Sequence, residues 1–400
     1  MPNLEILILE GSIIYLSSPI DISMLTNSPH YPPPPFFSWL VLIGCISLES
    51  LPKGFYKLQC LQILSCRGCS KVKRFSEIKG NMRKLRELNL SGTAIMEVPQ
   101  SIKHLNGLAD LDLGNCKNLV SLPESICSLK SLKTLKLNDC SKLNSFLEIK
   151  GGDMGNLREL DLNSTGIEEL PSSIGHLKAL EYLSLTYCKS LVSLPDSLCN
   201  LTSLKILEVR GCSKLEKLPK DLGQLQCLEK LSLASISCAL PCLSGLCSLR
   251  FLDLSKCNLT QGVVQSNSCL SSLAVLLMGD CKVMEVEILN LIFHLSSLEM
   301  LDLSNCNLME GEIPSDISHL SSLEELYLYG NHFSSIPTGI NQLSRLVGLD
   351  LSHCKKLLQI PELPSSLRLL HAHSSPGTLS SPSFLPLHSL VNCFKSAIQV

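Results

Sequence analysis

Apolar residues recur along the chain in the pattern Leu-x-x-Leu-x-Leu, where leucines alternate with polar residues for a few positions. One example is Leu111-Asp112-Leu113. Successive side chains of a β-strand point to opposite faces, so the leucines face a core and the aspartate faces solvent. The pattern predicts one short strand each time it occurs.

The pattern recurs at a nearly constant spacing. It begins at Leu61, Leu85, Leu108, Leu132, Leu157, Leu180, Leu204, Leu228, Leu249, Leu273, Leu298, Leu323 and Leu346. Successive starts lie between 21 residues (249 − 228) and 25 residues (157 − 132) apart. A leucine pattern with a period of roughly 20–29 residues is typical of leucine-rich repeats, in which every repeat adds one strand to a parallel sheet.

The remainder of each repeat has a different spacing. In the stretch Leu119–Leu129, apolar residues lie about three positions apart, which suits irregular or 3₁₀ turns on the other side of the sheet. Prolines recur where these turns should begin: Pro52, Pro99, Pro123, Pro171, Pro195, Pro219, Pro241, Pro314, Pro337 and Pro361. We therefore predict an α/β leucine-rich-repeat solenoid of about 14 repeats, with a curved parallel β-sheet and a convex face of irregular turns and 3₁₀ or short helices.

Cysteines occupy one fixed place, three residues beyond the last strand leucine. They are Cys69, Cys116, Cys140, Cys188, Cys212, Cys257, Cys281, Cys306 and Cys354, with Thr93, Thr165, Ile236 and Asn331 at that place in other repeats. Cys, Thr and Asn all have a hydrogen-bond donor, so these side chains are expected to bond backbone groups of neighbouring loops as an inward ladder. Disulfides between them are a disfavoured alternative.

One other group of residues could suggest metal chemistry. Cys238, Cys242 and Cys247 could be read as metal ligands, but there is no second cluster with metal-ligand spacing, so buried structural thiols are favoured. No nucleophile elbow, His-Glu-x-x-His motif or phosphate loop is present. We expect no enzyme activity, no metal and no cofactor.

Part of the chain repeats at a longer interval. The stretch from Cys69 to Leu88 reappears as Cys140 to Leu160, an offset of about 72 residues, or three repeats. This indicates duplication of a three-repeat block.

The repeat pattern also predicts domain boundaries. Residues 1–11 form the N-terminal half of a first repeat, residues 12–44 are a non-repeat insertion, and residues 45–373 are leucine-rich repeats. Residues 374–400 start with a Ser/Pro linker and end in a segment too short to be a domain by itself. We favour a translated intron as the origin of 12–44 over a loop that bulges from the solenoid. Both ends of the chain look unfinished, because Leu4 starts a repeat without a polar cap.

Charge and hydropathy exclude several classes of partner. The net charge of −2, from 34 Lys+Arg and 36 Asp+Glu, leaves no excess of positive charge for nucleic acid or anionic membranes. The longest candidate membrane stretch, from Phe36 to Ile46, is too short to span a bilayer, and the N-terminus lacks the basic region of a signal peptide. A cytoplasmic location is expected, with the nucleus as the alternative.

Several segments resemble the repeats of plant intracellular disease-resistance receptors. The segments Cys116–Pro123, Cys188–Pro195, Leu90–Ile95 and Ile360–Leu367 carry the likeness, which is closest to the class with a TIR domain and a nucleotide-binding switch domain. The resemblance implies a sensor that binds a pathogen effector, or a host protein that effectors modify, and restrains the switch domain. It also implies that residues 374–400 include the start of a post-repeat domain, which Leu390–Lys395 resembles. The chain has no phosphate loop and no TIR region, so it looks like the recognition part alone.

The non-leucine strand positions of a solenoid are the expected partner-binding surface on the concave face. Aromatic and arginine side chains dominate protein interfaces. The repeat phase places Arg67, Lys136, Tyr182, Tyr187, Arg210, Phe251, Tyr327 and Tyr329 there. A row of aspartates, Asp112, Asp161, Asp253, Asp302 and Asp350, either faces a basic partner or simply suits a solvated strand position.

Two other functions remain open. The motif Gly311-Glu312-Ile313-Pro314 and glycosylation sequons such as that at Asn89 would suit an extracellular receptor ectodomain, but cap cysteines and a signal peptide are missing. A signalling scaffold would need repeats of uniform length with asparagine ladders, whereas Asn331 is the sole asparagine on this ladder.

Overall fold

The computed structural model describes residues 6–10, 38–51, 55–258, 270–281 and 286–373. The chain divides into two compact units, an N-terminal unit of residues 1–215 and a C-terminal unit of residues 216–400. No helix in the described ranges is both long and apolar enough to cross a membrane. The predicted linker and post-repeat segment, 374–400, lies outside the described residues.

In the N-terminal unit, short parallel strands pair in chain order. They are β1 (Ile6–Glu10), β2 (Trp39–Ile43), β3 (Ile63–Ser65), β4 (Glu87–Asn89), β5 (Asp110–Asp112), β6 (Thr134–Lys136), β7 (Glu159–Asp161), β8 (Tyr182–Ser184) and β9 (Ile206–Glu208).

The C-terminal unit continues the same arrangement within itself. Its parallel strands are β10 (Lys230–Ser232), β11 (Phe251–Asp253), β12 (Val275–Leu277), β13 (Met300–Asp302), β14 (Glu325–Tyr327), β15 (Gly348–Asp350) and β16 (Leu369–His371). Strands β3 to β15 fall one in each of the repeats aligned from the sequence, so the predicted repeat fold is confirmed.

The register of the strands aligns equivalent leucines. Numbering the pattern Leu-x-x-Leu-x-Leu from position 1, the leucines at positions 4 and 6 point inward. Leu64, Leu88 and Leu111, all at position 4, are neighbours in register and no more than 1% exposed. Each repeat buries its leucines against the repeats beside it, so the core is shared along each unit.

The other side of each repeat is built mainly from 3₁₀ turns, as predicted. They are Phe55–Lys57, Gln100–His104, Glu124–Ser128, Ser172–His176 and Asp196–Asn200 in the N-terminal unit, and Leu222–Gln224, Ser315–His319 and Thr338–Gln342 in the C-terminal unit. Several recurrent prolines cap these turns; Pro99, for example, accepts a hydrogen bond from the Ile102 N–H at 3.0 Å. One α-helix, α1 (Val286–Ile292), replaces the 3₁₀ turn in its repeat.

The ladder at position 9 is confirmed. The thiol of Cys140 donates to the Leu113 carbonyl at 3.1 Å, and the thiol of Cys306 donates to the Met278 carbonyl at 3.1 Å. Equivalent bonds at 3.1–3.3 Å link Cys69, Cys116, Cys188, Cys212, Cys257, Cys281 and Cys354 to the preceding repeat. The ladder side chains therefore tie each turn to its neighbour.

Position 8, just before the ladder, has a left-handed backbone. The residues concerned are Gly44, Gly68, Gly92, Asn115, Asp139, Ser164, Tyr187, Gly211, Ser235, Lys256, Asp280, Asn305, Gly330 and His353. Glycine and asparagine adopt this conformation most readily, which explains their frequency there. The turn allows the chain to leave the strand and direct the next side chain inward.

Strand β2 corrects the predicted C-terminal boundary of the non-repeat insertion. It lies inside 12–44, yet Leu40 and Leu42 are buried and Cys45 takes the ladder position. Phe37 stands where other repeats have their first leucine, so the leucine pattern alone misses this strand. Its repeat is 24 residues long (61 − 37), like the others. Residues 11–37 lie outside the described residues, and the origin of that stretch stays a prediction.

The block duplication has a counterpart in hydrogen bonding. The His104 ring nitrogen Nδ1 lies 3.0 Å from the Ile78 carbonyl, and His176 Nδ1 lies 2.9 Å from the Ile149 carbonyl. These contacts recur about 72 residues apart, matching the offset of the two sequence blocks. His104 and His176 therefore have a structural role, because each contacts a backbone carbonyl of the preceding repeat.

Candidate functional site

The surface that could meet a partner consists of the strand side chains that do not enter the core. They occupy positions 3, 5, 7 and 8 of each repeat, and we call this surface the strand face. Because neighbouring strands lie about 4.7–4.9 Å apart, equivalent positions form close rows of side chains. The row at position 5 carries most of the aspartates.

These aspartates take part in backbone hydrogen bonding. Oδ1 of Asp112 accepts the Gly114 N–H at 2.9 Å, and Oδ1 of Asp302 accepts the Ser304 N–H at 2.9 Å. The same bond occurs at Asp161, Asp253 and Asp350. The N–H at position 7 would otherwise lack a partner at the strand end, so a carboxylate or amide at position 5 completes the turn. One oxygen of each aspartate in the position 5 row therefore has a structural role and is not available to a partner.

The second oxygens differ between repeats. Oδ2 of Asp112 accepts a hydrogen bond from the Asn89 amide at 3.0 Å, and Oδ2 of Asp253 accepts one from the Ser232 hydroxyl at 3.2 Å. Oδ2 of Asp302 and Asp350 has no hydrogen-bond partner among the described residues. The Oδ2 atom of Asp302 lies over Gly279, where an added Cβ would meet it at 3.0 Å. These carboxylates keep an oxygen available to a partner.

All eight residues predicted to contact a partner lie on the strand face, exposed or half-buried. They are Tyr182 and Phe251 at position 3, Lys136 and Tyr327 at position 5, Arg67, Arg210 and Tyr329 at position 7, and Tyr187 at position 8. The N-terminal unit contains Arg67, Lys136, Tyr182, Tyr187 and Arg210, and the C-terminal unit contains Phe251, Tyr327 and Tyr329. Their binding role stays a prediction.

In the N-terminal unit, two of these side chains are held by acidic neighbours. Lys136 Nζ lies 3.4 Å from Glu159 Oε1, and the Tyr182 hydroxyl donates to Glu208 at 3.2 Å. Burial raises the pKa of Tyr182 to about 12, so the hydroxyl keeps its proton at neutral pH. Tyr187 is 49% exposed and its ring covers Gly211, leaving no room there for a Cβ.

In the C-terminal unit, the three predicted aromatic residues also have close neighbours on the strand face. The Tyr327 hydroxyl donates to Glu325 at 2.6 Å, and this bond raises the tyrosine pKa to about 12. The Tyr329 ring meets the His353 ring edge-on at 5.1 Å between centroids. Lys230 Nζ lies 5.2 Å from the centre of the Phe251 ring, within cation–π range.

Three further residues of this surface were not predicted. Val275, Leu277 and Met300 are half-buried on the strand face, beside Phe251. We call Phe251, Val275, Leu277 and Met300 the apolar patch. The predicted partner-binding residues did not include the aliphatic members of this patch, because the prediction was based mainly on aromatic and arginine side chains. The signal was present in the sequence, because aliphatic residues replace the polar ones that usually occupy positions 3 and 5.

The buried thiols do not form a reactive site. Burial raises the pKa of Cys140, Cys257 and Cys306 to about 12, so they are thiols rather than nucleophilic thiolates at neutral pH. A hydrogen bond from Cys66 lowers the Cys69 pKa to about 7, but both sulfurs are fully buried. Within the described ranges, no group of three or more His, Cys, Asp or Glu is placed to hold a metal ion.

Comparison with known families gives a consistent result along the chain. A family model described as "Leucine-rich repeat region" matches residues 54–151 and 135–267, and one described as "Leucine Rich Repeat" matches residues 297–320 and 322–343. Together, the first model's matches cover more than half of the chain.

Similar curated proteins are plant disease resistance proteins. The probable disease resistance protein At4g19520 of Arabidopsis thaliana is 33% identical over 87% of this chain and 21% of its own length. The TMV resistance protein N of Nicotiana glutinosa is 33% identical over 83% of this chain and 21% of its own length. The chain thus spans about a fifth of these relatives.

Solved structures share the fold. The leucine-rich-repeat protein LIC12759 of Leptospira interrogans superposes with a TM-score of 0.69 at 23% identity, covering 90% of this chain and 95% of that one. An internalin, InlF, of Listeria monocytogenes gives a TM-score of 0.59 at 22% identity, covering 76% of this chain and 84% of that one. At such identities the likeness concerns architecture alone.

Proposed function

This chain belongs to the leucine-rich repeat family, and we propose that it is the recognition region of a plant disease resistance receptor. In that role it binds a pathogen effector, or a host protein that an effector has modified. It also restrains a nucleotide-binding switch domain of the same receptor until that partner binds. The observation that carries the proposal is the similarity to plant disease resistance proteins over 87% and 83% of the chain.

The geometry of the strand face supports protein recognition. Its side chains project from a backbone held by strand pairing, ladder bonds and aspartate caps, so a partner meets preordered groups. Aromatic and arginine residues suited to interfaces, such as Tyr182, Arg210 and Tyr329, lie on this surface. A resistance receptor of this kind would act in the cytoplasm or nucleus.

The proposal is tested by pairwise binding between the full 400-residue chain and cloned pathogen effectors, candidate host targets, and nucleotide-binding domains of the related resistance proteins. A specific partner should bind the wild-type chain. Its affinity should fall at least about tenfold in one of two double variants of the strand face, Tyr182→Ala with Arg210→Ala, or Tyr327→Ala with Tyr329→Ala.

Matched controls lie on the 3₁₀ turns. Lys103→Ala and Asp316→Ala remove exposed charges from Gln100–His104 and Ser315–His319 without touching the strand face. They should leave the affinity unchanged. The proposal fails if no effector, host protein or switch domain binds specifically, or if only the turn variants reduce binding.

A further inference from the structure

The strand face of the C-terminal unit has an unusual run of apolar side chains. Phe251, Val275 and Met300 occupy position 3 of three adjacent strands and are neighbours in register, and Leu277 lies beside them at position 5. A second run lies on β1, β2 and β3, where position 3 carries Ile6, Trp39 and Ile63. Among strands β4 to β15, no other three neighbouring strands carry apolar residues there. All four side chains are half-buried, so the apolar patch is still open to a partner.

Carboxylates border this patch. In the position 5 row, Leu277 lies between Asp253 and Asp302, and the row continues through Tyr327 to Asp350. Asp253 is only 6% exposed and both of its oxygens accept hydrogen bonds. Asp302 and Asp350 are half-buried and use one oxygen each for their backbone cap, so their second oxygens are the acceptors that remain for a partner.

The lysines near the apolar patch do not neutralise the carboxylates that border it. Lys230 lies over the Phe251 ring, and Lys256 lies 3.9 Å from Asp280 at position 8. Glu325 extends the position 3 row next to Met300 and accepts only the Tyr327 hydroxyl among the described residues. The polar groups beside Met300 and Leu277 that remain free to bind a partner are therefore carboxylate oxygens.

We propose that this surface binds a protein segment whose apolar side chains are flanked by lysine or arginine. The apolar side chains would cover Val275, Leu277 and Met300, and the flanking cations would donate to the second oxygens of Asp302 and Asp350. An acidic segment would be repelled by the same carboxylates. This inference rests on the proposed function, because it specifies the partner chemistry of the strand face.

Three synthetic peptides test the chemistry on the full 400-residue chain by fluorescence anisotropy. One has an apolar core flanked by Lys and Arg, the second has the same core flanked by Glu and Asp, and the third has the basic flanks around a serine core. The first should bind at least about tenfold more tightly than either other peptide, and more weakly as salt increases. Equal binding of the acidic or the serine peptide overturns the proposal.

Charge variants locate the site without removing the backbone caps. Asn89 accepts the Ser91 N–H at 3.0 Å, which shows that asparagine at position 5 can serve as the cap. Asp302→Asn with Asp350→Asn should therefore keep the fold and weaken the basic peptide at least about fivefold, with a smaller salt dependence. The matched control is Asp112→Asn with Asp161→Asn, the same change at the same position in the N-terminal unit, and it should have no effect.

The apolar side chains of the patch can be replaced by threonine, a residue that already occurs at position 3 of another strand. Thr134 occupies position 3 of β6, so Val275→Thr with Met300→Thr should fold with an unchanged midpoint of thermal unfolding and bind the basic apolar peptide at least about tenfold more weakly. Ile63→Thr with Ile206→Thr is the matched control in the N-terminal unit. Equal losses in the controls and in the C-terminal variants overturn the proposal.

The two proposals can fail separately. If an effector or host protein found in the pairwise screen loses affinity with N-terminal variants and keeps it with Asp302→Asn and Met300→Thr, the patch inference is wrong and the receptor function stands. If no partner is found, the receptor function fails, and the peptide measurements still decide the patch inference.

Discussion

At the scale of single residues, the ladder shows how one side chain can serve two repeats. A ladder cysteine supplies one donor to a carbonyl of the preceding repeat, as Cys354 does to Leu328 at 3.2 Å. Asn331 does more. Its amide nitrogen donates to the carbonyls of Leu303 and Leu328, and its oxygen accepts the N–H groups of Cys306 and Leu308. Cysteine and asparagine therefore both occupy the ladder position, but asparagine contributes more to the stability of the fold.

Asn331→Ala should lower the free energy of unfolding by about 2–4 kcal/mol, because it leaves two buried N–H groups without acceptors. Cys354→Ala should cost only about 1 kcal/mol, since Asn331 still donates to the Leu328 carbonyl. Urea unfolding followed by circular dichroism measures both. The exposed Asn341→Ala is the control and should change stability by less than about 0.5 kcal/mol. Equal costs at Asn331 and Cys354 would contradict this account of the ladder.

At the scale of elements, each strand is completed by groups from a neighbouring repeat or from its own turn. Glu310, which lies four residues after the ladder residue Cys306, is an example. Its carboxylate accepts the N–H groups of Ser334 and Ser335 at 2.8 and 3.1 Å and both of their hydroxyls, next to the bridge between Ser335 and Gln359. The serine hydroxyl bonds, followed by the N–H bonds, lower the pKa of Glu310 to about 2.

This carboxylate should make stability depend on pH in a defined window. Its pKa is lower in the folded chain than the ordinary value of 4.5, so its contribution is complete above about pH 4.5 and is lost as the pH falls towards about 2. Glu310→Gln should therefore lower the urea midpoint at pH 7, and the difference from wild type should shrink across that window. Ser334→Ala with Ser335→Ala should reduce the pH dependence. A difference that stays constant from pH 7 to pH 2 would contradict the assignment.

Most elements could be predicted from the sequence because leucine spacing determines both the strands and their register. Strand β2 was missed because Phe37 replaces the first leucine. The left-handed turn at position 8 has a clear signal in Gly92 or Asn115, but not in Tyr187 or Lys256, where the surrounding repeat imposes the conformation. Which aspartate oxygens remain available depends on neighbours such as Asn89 and Ser232, and a single strand pattern does not contain that information.

At the scale of the whole molecule, each compact unit divides its residues in the same way. Leucines and ladder thiols lie inside, 3₁₀ turns form one side, and the strand face is left for contacts. The chain spans about a fifth of the length of these curated relatives. Position 3 is mixed in both units. The first carries the acidic residues Glu87, Asp110 and Glu159 but also the apolar Trp39, Ile63 and Ile206, and the second carries the apolar patch beside Glu325.

The division between inside and outside predicts a pattern of thiol reactivity. Cys227 and Cys247 are exposed, so the expectation of a buried thiol at Cys247 is wrong. The ladder thiols are buried, and burial raises the pKa of Cys140 and Cys306 to about 12. Native-state alkylation with iodoacetamide, read by mass spectrometry, should label Cys227 and Cys247 first and the ladder thiols only after denaturant is added. Labelling of ladder thiols at the same rate as Cys227 would show that the repeats do not pack as described.

The most direct test of recognition through the strand face is hydrogen–deuterium exchange of the full chain, free and bound to the effector or host protein found in the pairwise screen. Binding should slow exchange in the strand-and-turn segments of the C-terminal unit, 273–281, 298–306 and 346–354. In the last two segments, aspartate-capped N–H groups such as that of Ser304 lie beneath the partner. The 3₁₀ turns should exchange as before. Protection confined to Ser315–His319 and the other turns, with the strand segments unchanged, would contradict the account.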